Sequence, residues 1–332
     1  MLMTIDKRPT VALIWGGRGY ERDVSRRGME NILPQIDKNT YNVLSVHIDQ
    51  SGEWTLDGKS VYPSFPGGIA SDGGFIKIDC ALPLLHGNFG EDGRVQGALD
   101  CALIKYIGCD SMTSGICRDK FVVKSLAKTL GIPTLPCTLV LRGEDINRAA
   151  ERYEKEIGYP AFVKPTSLGS SLGAAGADNR TELLTALDSA LELCDRAIVE
   201  RRISPKRELE CGYFAAKGKE IFTKCGEILQ DGFYSYEKKY LNGGAAVCVV
   251  ADVSNEINQK IRDYSRRLTH ALGVRDISRI DYFLSGDKLY FNEINTMPGM
   301  TKTSLYQAMI ESEGIPSAEF VNLLIEEVLS SR

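Results

Sequence analysis

At 332 residues the chain exceeds one ordinary core, so two or three domains of roughly 100 to 150 residues are expected. Its 43% hydrophobic and 25% charged residues are those of a soluble globular protein, and a net charge of -4 without a basic block argues against a nucleic-acid partner. Nine cysteines without a CxxC pair and only three histidines argue against a zinc site and for reduced thiols in the cytoplasm, and no run reaches the roughly 18 apolar residues of a membrane span.

In chain order, "VALIW" (11-15), "YNVLSVHI" (41-48), "FIKIDCALPLL" (75-85) and "KYIGC" (105-109) read as strands, with helices near 22-36 and 93-104. Such βα alternation predicts an open parallel sheet whose ligands sit beyond the carboxyl ends of its strands, where "GGRGYERDVS" and "LLHGNFGEDG" both fall. The glycine spacing fails the dinucleotide fingerprint because Arg22 takes the last glycine position. Glu21, opening a helix, is placed to meet an ammonium, and His86 should face the same crevice.

From 118 the texture changes. An amphipathic helix closes at Gly131 and Pro133, followed by "TLPCTLVL", the helix "EDINRAAERYEKEIG", the strand "PAFVKPT", a helix at about 180-194 and the strand "AIVERRI". This predicts a smaller α+β unit over 118-210. The last third holds long strands around 208-229, a polar loop over 230-244, a helix over 255-273, a hairpin over 279-295 and two closing helices.

In "VKPTSLGSSLG" Lys164 precedes the glycines, the reverse of the Walker order. A Ser/Gly loop with a strand lysine beneath it can fold over phosphates as a lid, though taken alone it reads rather as a surface turn beside a lysine. In the hairpin, a three-residue turn Ser285-Gly286-Asp287 would pair Leu284 with Lys288 and set Asp281 opposite Phe291, with Glu293 one diagonal step away. Arg279, Asp281, Glu293 and Asn295 then share one face. This oxygen-only set suits Mg²⁺ bridging phosphates; the plainer alternative is a solvated sheet face with an Arg–Asp pair. After it, "NTMPGMTKTSL" offers a Pro298-Gly299 turn whose N–H groups can face an oxyanion.

Eight stretches in one order resemble the ATP-grasp superfamily, and more narrowly the D-alanine–D-alanine ligases: "GGRGYERDVS", "LLHGNFGEDGRVQG", "CRDK", "FVKPTSLGSSLG", "VERRI" with "RELEC", "FYSYEKKY", "RIDYF" and "NEINTMPGMTKTSL". The resemblance implies a three-domain α/β and α+β fold: a substrate-binding domain with an open parallel sheet over 1-117, and two domains clasping ATP over 118-210 and 211-332. It implies an ATP-dependent union of two D-alanines through an acyl phosphate, for peptidoglycan precursors, in a cytoplasmic homodimer. By it, Lys120, Lys164, Ser171, Glu200, Arg201, Ile203, Glu208 and Lys239 would hold ATP. Asp281, Glu293 and Asn295 would bind two Mg²⁺ ions, for which Mn²⁺ substitutes.

It further implies that Glu21, Ser170 and Tyr240 form a hydrogen-bonded set at the first D-alanine, and that Arg279 and the Gly299 N–H stabilise the tetrahedral oxyanion. Val24, His86, Ser304 and Leu305 would complete the amino-acid pockets. Gly19, Tyr20 and Arg201 depart from the residues usual in the family. Tyr240 and Leu305 favour D-alanine as second substrate, whereas "GCDSMTSGICRDK" resembles the D-serine branch, so the alternative reading is a D-alanine–D-serine ligase or another ATP-grasp carboxylate–amine ligase. A nucleotide-binding module without catalysis would not need the metal carboxylates.

Overall fold

The computed structural model describes residues 7-229 and 246-331. The first sheet has seven strands in the order β6-β5-β4-β3-β2-β1-β7. These are β1 (Thr10–Gly16), β2 (Asn42–Ile48), β3 (Trp54–Leu56), β4 (Lys59–Ser64), β5 (Gly68–Ser71), β6 (Gly74–Lys77) and β7 (Cys80–Pro83). Only β2, β1 and β7 run parallel, and β3 to β6 extend the sheet as an antiparallel meander. The expected open parallel sheet is therefore mixed, because tight turns such as Asp57-Gly58, both at positive φ, let short neighbouring strands pair directly without crossover helices. The run "FIKIDCALPLL" breaks at Asp79 into β6 and β7, since the Asp79 carboxylate accepts a bond from the Thr10 N–H. The expected strand at 105-109 is reduced to one bridge between Tyr106 and Ala81.

Helices α1 (Arg22–Ile32) and α2 (Arg94–Ala102) follow β1 and β7. Because β1 and β7 are parallel neighbours, the segments after their carboxyl ends, carrying Glu21 and His86, are brought together. Helices α3 (Ser111–Arg118) and α4 (Lys120–Thr129) come next. Asp119 caps α4, accepting from the Phe121 and Val122 N–H groups at 3.0 Å.

The second sheet has the order β10-β9-β11-β8, all antiparallel, from β8 (Cys137–Leu141), β9 (Ala161–Pro165), β10 (Ala175–Ala177) and β11 (Arg196–Arg201). Alternation sorts its faces. Ala161, Val163, Ala197 and Val199 pack under α5 (Ile146–Glu156) and α6 (Arg180–Leu193), leaving Phe162, Lys164 and Glu200 on the other face.

The third sheet contains β12 (Arg207–Ala216), β13 (Lys219–Phe222), β14 (Gly226–Leu229), β15 (Ala246–Cys248), β16 (Ile277–Ser285) and β17 (Lys288–Asn295). Its apolar face, with Leu209, Ile280, Tyr282 and Ile294, packs on α7 (Asn255–Leu272) and also on Val123 and Ala127 of α4. The last helices, α8 (Leu305–Ser312) and α9 (Ser317–Ser331), join it to the first sheet: Tyr306, Phe320 and Val321 share a buried core with Val11, Leu13 and Leu82. All nine cysteines are free, and Cys80, Cys109, Cys117, Cys211 and Cys225 are buried. Among the described residues no helix is long and apolar enough to cross a membrane.

Candidate active site

The polar faces of the second and third sheets enclose a cavity of about 1040 Å³. Lys120, Lys164, Ser170, Ser171, Glu200, Arg201, Ile203, Glu208, Arg279, Asp281 and Glu293 all line it, as does Asn292. Tyr240 and Lys239 lie outside the described residues.

Two lysines reach in from different elements. Lys120, on the first turn of α4, contacts Glu293 Oε2 at 3.2 Å and donates to the Leu168 carbonyl at 2.7 Å. Lys164, on β9, contacts Glu200 Oε2 at 2.8 Å and donates to Asn292 Oδ1 at 3.0 Å. Burial works against both charges. It lowers the Lys120 pKa, while for Lys164 the carboxylates of Glu200 and Glu293 outweigh burial and raise it. Glu200 is itself buried, between Lys164 and Lys124, whose Nζ lies 2.5 Å from its Oε1. Burial pushes its pKa up, but the two ammonium groups win and hold it down to about 2.

The hairpin carries the acidic row. Its loop has two residues, Gly286 at φ +60° and Asp287, so Ser285 pairs with Lys288 and Leu284 with Leu289. The expected three-residue turn and the Asp281–Phe291 pair are not formed. A two-residue turn would by itself scatter the acidic set, but an irregularity between Asp281 and Tyr282 inserts Asn292 unpaired into β17 and restores the register. Asp281 then stands directly opposite Glu293 and Arg279 opposite Asn295, while Glu210 of β12 stands opposite Asp281 on its other side. Arg279, Asp281, Glu293 and Asn295 thus share one face, with Glu210 beside them.

The bulge also explains Asn292, a residue the sequence reading missed. Freed from pairing, it turns its amide toward Lys164. The donor set fits a cation that takes part of its shell elsewhere: Asp281, Glu293 and the Asn295 amide supply only oxygens that bind hard ions. No cluster of three acidic, histidine or cysteine side chains among the described residues makes a complete cage. Mg²⁺ is usually held this way, by one or two carboxylates plus phosphate oxygens of a nucleotide.

The loop after β9 closes over one end of the cavity. Ser170 and Ser171 take positive φ, +54° and +61°, and Ser170 Oγ donates to Glu21 Oε1 in a short hydrogen bond. Glu21 also lies against Gly87, where an added Cβ would sit 2.5 Å from Oε2. Behind it, Glu91 accepts from Arg118 at 2.8 Å and lies 3.5 Å from His86 Nδ1. Burial opposes a charge on His86, yet Glu91 and the more distant Glu21 raise its pKa. Glu21 and His86 are thus brought near one another. Val24 sits in the first turn of α1, its N–H bonded to the Glu21 carbonyl at 3.0 Å.

Ser304 precedes α8 without capping it. Its hydroxyl accepts from the Thr301 N–H at 3.0 Å and stands 3.0 Å from where a Gly299 Cβ would be, so the turn admits no side chain there without a shift. Leu305 is buried against Gly226.

Residues 126-326 match the family model described as D-ala D-ala ligase C-terminus, and residues 64-109 match D-ala D-ala ligase N-terminus. The chain belongs to the D-alanine–D-alanine ligase family. It is 34% identical to the D-alanine–D-alanine ligase of Caldicellulosiruptor bescii, over 95% of this chain and 93% of that one. It is 33% identical to D-alanine–D-alanine ligase A of Escherichia coli, over 96% and 95%. Among solved structures it resembles D-alanyl-alanine synthetase A from Vibrio cholerae, with a TM-score of 0.89, 29% identity, and coverage of 97% and 98%. It equally resembles the VanG D-Ala:D-Ser ligase from Enterococcus faecalis, with a TM-score of 0.89, 28% identity, and coverage of 97% and 100%.

As a member of the D-alanine–D-alanine ligase family the chain is a ligase with the ATP-grasp fold, and the cavity lies where the two sheets of that fold face each other. Two of the lining side chains also have partners within the protein. Arg201, which lines the cavity, also donates to the Ile157 and Gly158 carbonyls, at 2.9 and 3.2 Å, and so closes the end of α5. Glu208 is paired with Lys206, which stacks 3.9 Å above the Phe283 ring. Glu91, Arg118 and Glu210 join the site from within the stretches that carry the resemblance, although no role was read for them there, and Lys124 joins it with no local signal beyond its charge.

Proposed function

We propose that this chain joins two D-alanines into D-alanyl-D-alanine, with ATP converted to ADP and phosphate, in the cytoplasm and in the service of peptidoglycan synthesis. The observation that carries the reading is the meeting of Lys120, Lys164, Asp281 and Glu293 in one cavity. Two cations and two carboxylates from four elements match a triphosphate neutralised partly by lysines and partly by Mg²⁺, with Asn295 as a third metal ligand. Bound there, Mg²⁺ or Mn²⁺ would screen the phosphoryl charge.

In the first step the carboxylate of one D-alanine attacks the γ-phosphorus and ADP leaves, giving an acyl phosphate. Glu21, held by Ser170, takes that substrate's ammonium. In the second step the amine of the other D-alanine attacks the acyl carbon and loses a proton, and phosphate leaves. Arg279 and the Gly299 N–H face the oxyanion between. Val24, His86, Ser304 and Leu305 line the amino-acid pockets, and the loop over 166-173 excludes water from the acyl phosphate. Ser171, Glu200, Arg201, Ile203 and Glu208 are assigned to ATP, Arg201 through its backbone. Domains over 1-117, 118-210 and 211-332, and a homodimer, complete the reading.

The test supplies ATP, Mg²⁺ and D-alanine with competing D-serine or D-lactate and identifies products by mass. D-alanyl-D-alanine with ADP in equal amount is expected, and its absence would overturn the assignment. The likeness to the VanG ligase makes D-alanyl-D-serine the product that would move the chain to the D-serine branch.

A further inference from the structure

Lys124 is the most deeply buried charge in the molecule's phosphate-binding region, with an exposure of 0%, and it does not line the cavity. It lies one helical turn after Lys120 on α4, so the two project from the same face, Lys120 into the cavity and Lys124 beneath its wall. Its ion-pair partner is Glu200, and Glu200 holds Lys164 with its other oxygen. Lys164 and Glu200 sit one diagonal step apart on neighbouring strands, since Lys164 pairs with Ile198. The order in space is therefore Lys124, Glu200, Lys164, then the cavity.

The charges of this row must balance where water does not reach. A buried carboxylate with a single ammonium partner cancels that ammonium almost completely, while one shared between two leaves a net positive charge of one. The shared arrangement puts the surplus on the side of Lys164, which also reaches Asn292 at the cavity wall. Burial lowers the Lys124 pKa even with Glu200 beside it, so this ion pair costs desolvation that a purely structural apolar residue would avoid.

We propose that Lys124 is a positioning residue for nucleotide binding: by neutralising Glu200 from beneath, it keeps the positive charge of Lys164 available to the phosphates of ATP. The inference rests on the nucleotide reading of the cavity. It requires that Lys124 act only through Glu200.

The test measures ATP dissociation constants by calorimetry, with thermal melting as a check of folding, in wild type, Lys124→Met, Glu200→Gln and the double variant. Lys124→Met is expected to weaken ATP binding about tenfold, because Glu200 then discharges on Lys164 alone. In the Glu200→Gln background the same change is expected to alter binding less than twofold. The second comparison holds even if Lys124→Met by itself does not fold, since the double variant removes both buried charges together. Equal ATP affinity in folded Lys124→Met and wild type, or a further loss on adding Lys124→Met to Glu200→Gln, would overturn the proposal. Failure of wild type to bind ATP at all would instead remove the reading beneath it.

Discussion

Arg279 and Asp281, two residues apart on one strand, are joined by parallel hydrogen bonds from Nε to Oδ1 and from Nη2 to Oδ2, both 2.7 Å. Glu210 approaches the same Nε at 3.3 Å, so one guanidinium offsets two carboxylates. Burial disfavours the charge on Arg279, but Asp281 and Glu210 raise its pKa well above the ordinary value. A cation that binds Asp281 thus competes with this arginine. Arg279→Met is expected to lower the Mg²⁺ concentration for half-maximal activity, because the row of Glu210, Asp281 and Glu293 becomes more negative. It should also lower kcat by about 10²-fold through loss of the oxyanion partner. Mg²⁺ titration of turnover in both proteins checks this; a higher Mg²⁺ requirement in the variant would contradict it.

Ser170→Ala removes the hydroxyl that ties the loop to Glu21. A hydrogen bond to a charged group contributes about 1.5–3 kcal/mol, so a rise of about tenfold or more in KM for the first D-alanine is expected. Water would also reach the acyl phosphate more often. The readout is the ratio of ADP to dipeptide, near one in wild type and above one in the variant. A ratio that stays at one would mean the loop closes without this contact.

Local pattern revealed much of this molecule and non-local charge almost none. Strand β1 and helix α7 were readable because period and apolar content are properties of the segment itself. The shared face of Arg279, Asp281, Glu293 and Asn295 was also expected, but for the wrong turn: the bulge that restores it leaves no local mark, and the partner that Asn292 meets, Lys164, is 128 positions away in sequence. Lys124 looked like one of several basic residues on an amphipathic helix. Its burial follows only from where β11 places Glu200. Strands β3 to β5 escaped notice because three, six and four residues are too few to show a period, while β6 was read only as the start of the run "FIKIDCALPLL".

His86 supplies a pH dependence of stability. Its folded pKa is raised above the ordinary 6.5. The stabilisation from its ion pair with Glu91 is therefore fully present below pH 6.5 and is lost as pH rises through the folded value. His86→Gln should then lower the melting temperature more at pH 5.5 than at pH 9. Melting curves of both proteins at the two values decide it, and an equal or larger loss at pH 9 would show that the imidazole is not charged in the fold.

Gly226 and Leu305 are packed tightly against each other. A Cβ on Gly226 would meet Met309 Sδ at 2.9 Å and both Leu305 methyl carbons at 3.0 Å, closer than side-chain carbons normally approach. Strand β14 and helix α8 therefore have no slack, and Gly226→Ala must push Leu305 or Met309 aside. Overpacking of this kind costs about 1–3 kcal/mol, measurable by urea unfolding. If Leu305 lines the pocket of the second D-alanine, the displacement should also change KM for that substrate while leaving ATP affinity within about twofold, because the ATP cavity is bounded by other residues. Loss of stability with both constants unchanged would place Leu305 in the core alone and leave substrate choice to residues on the His86 side of the crevice.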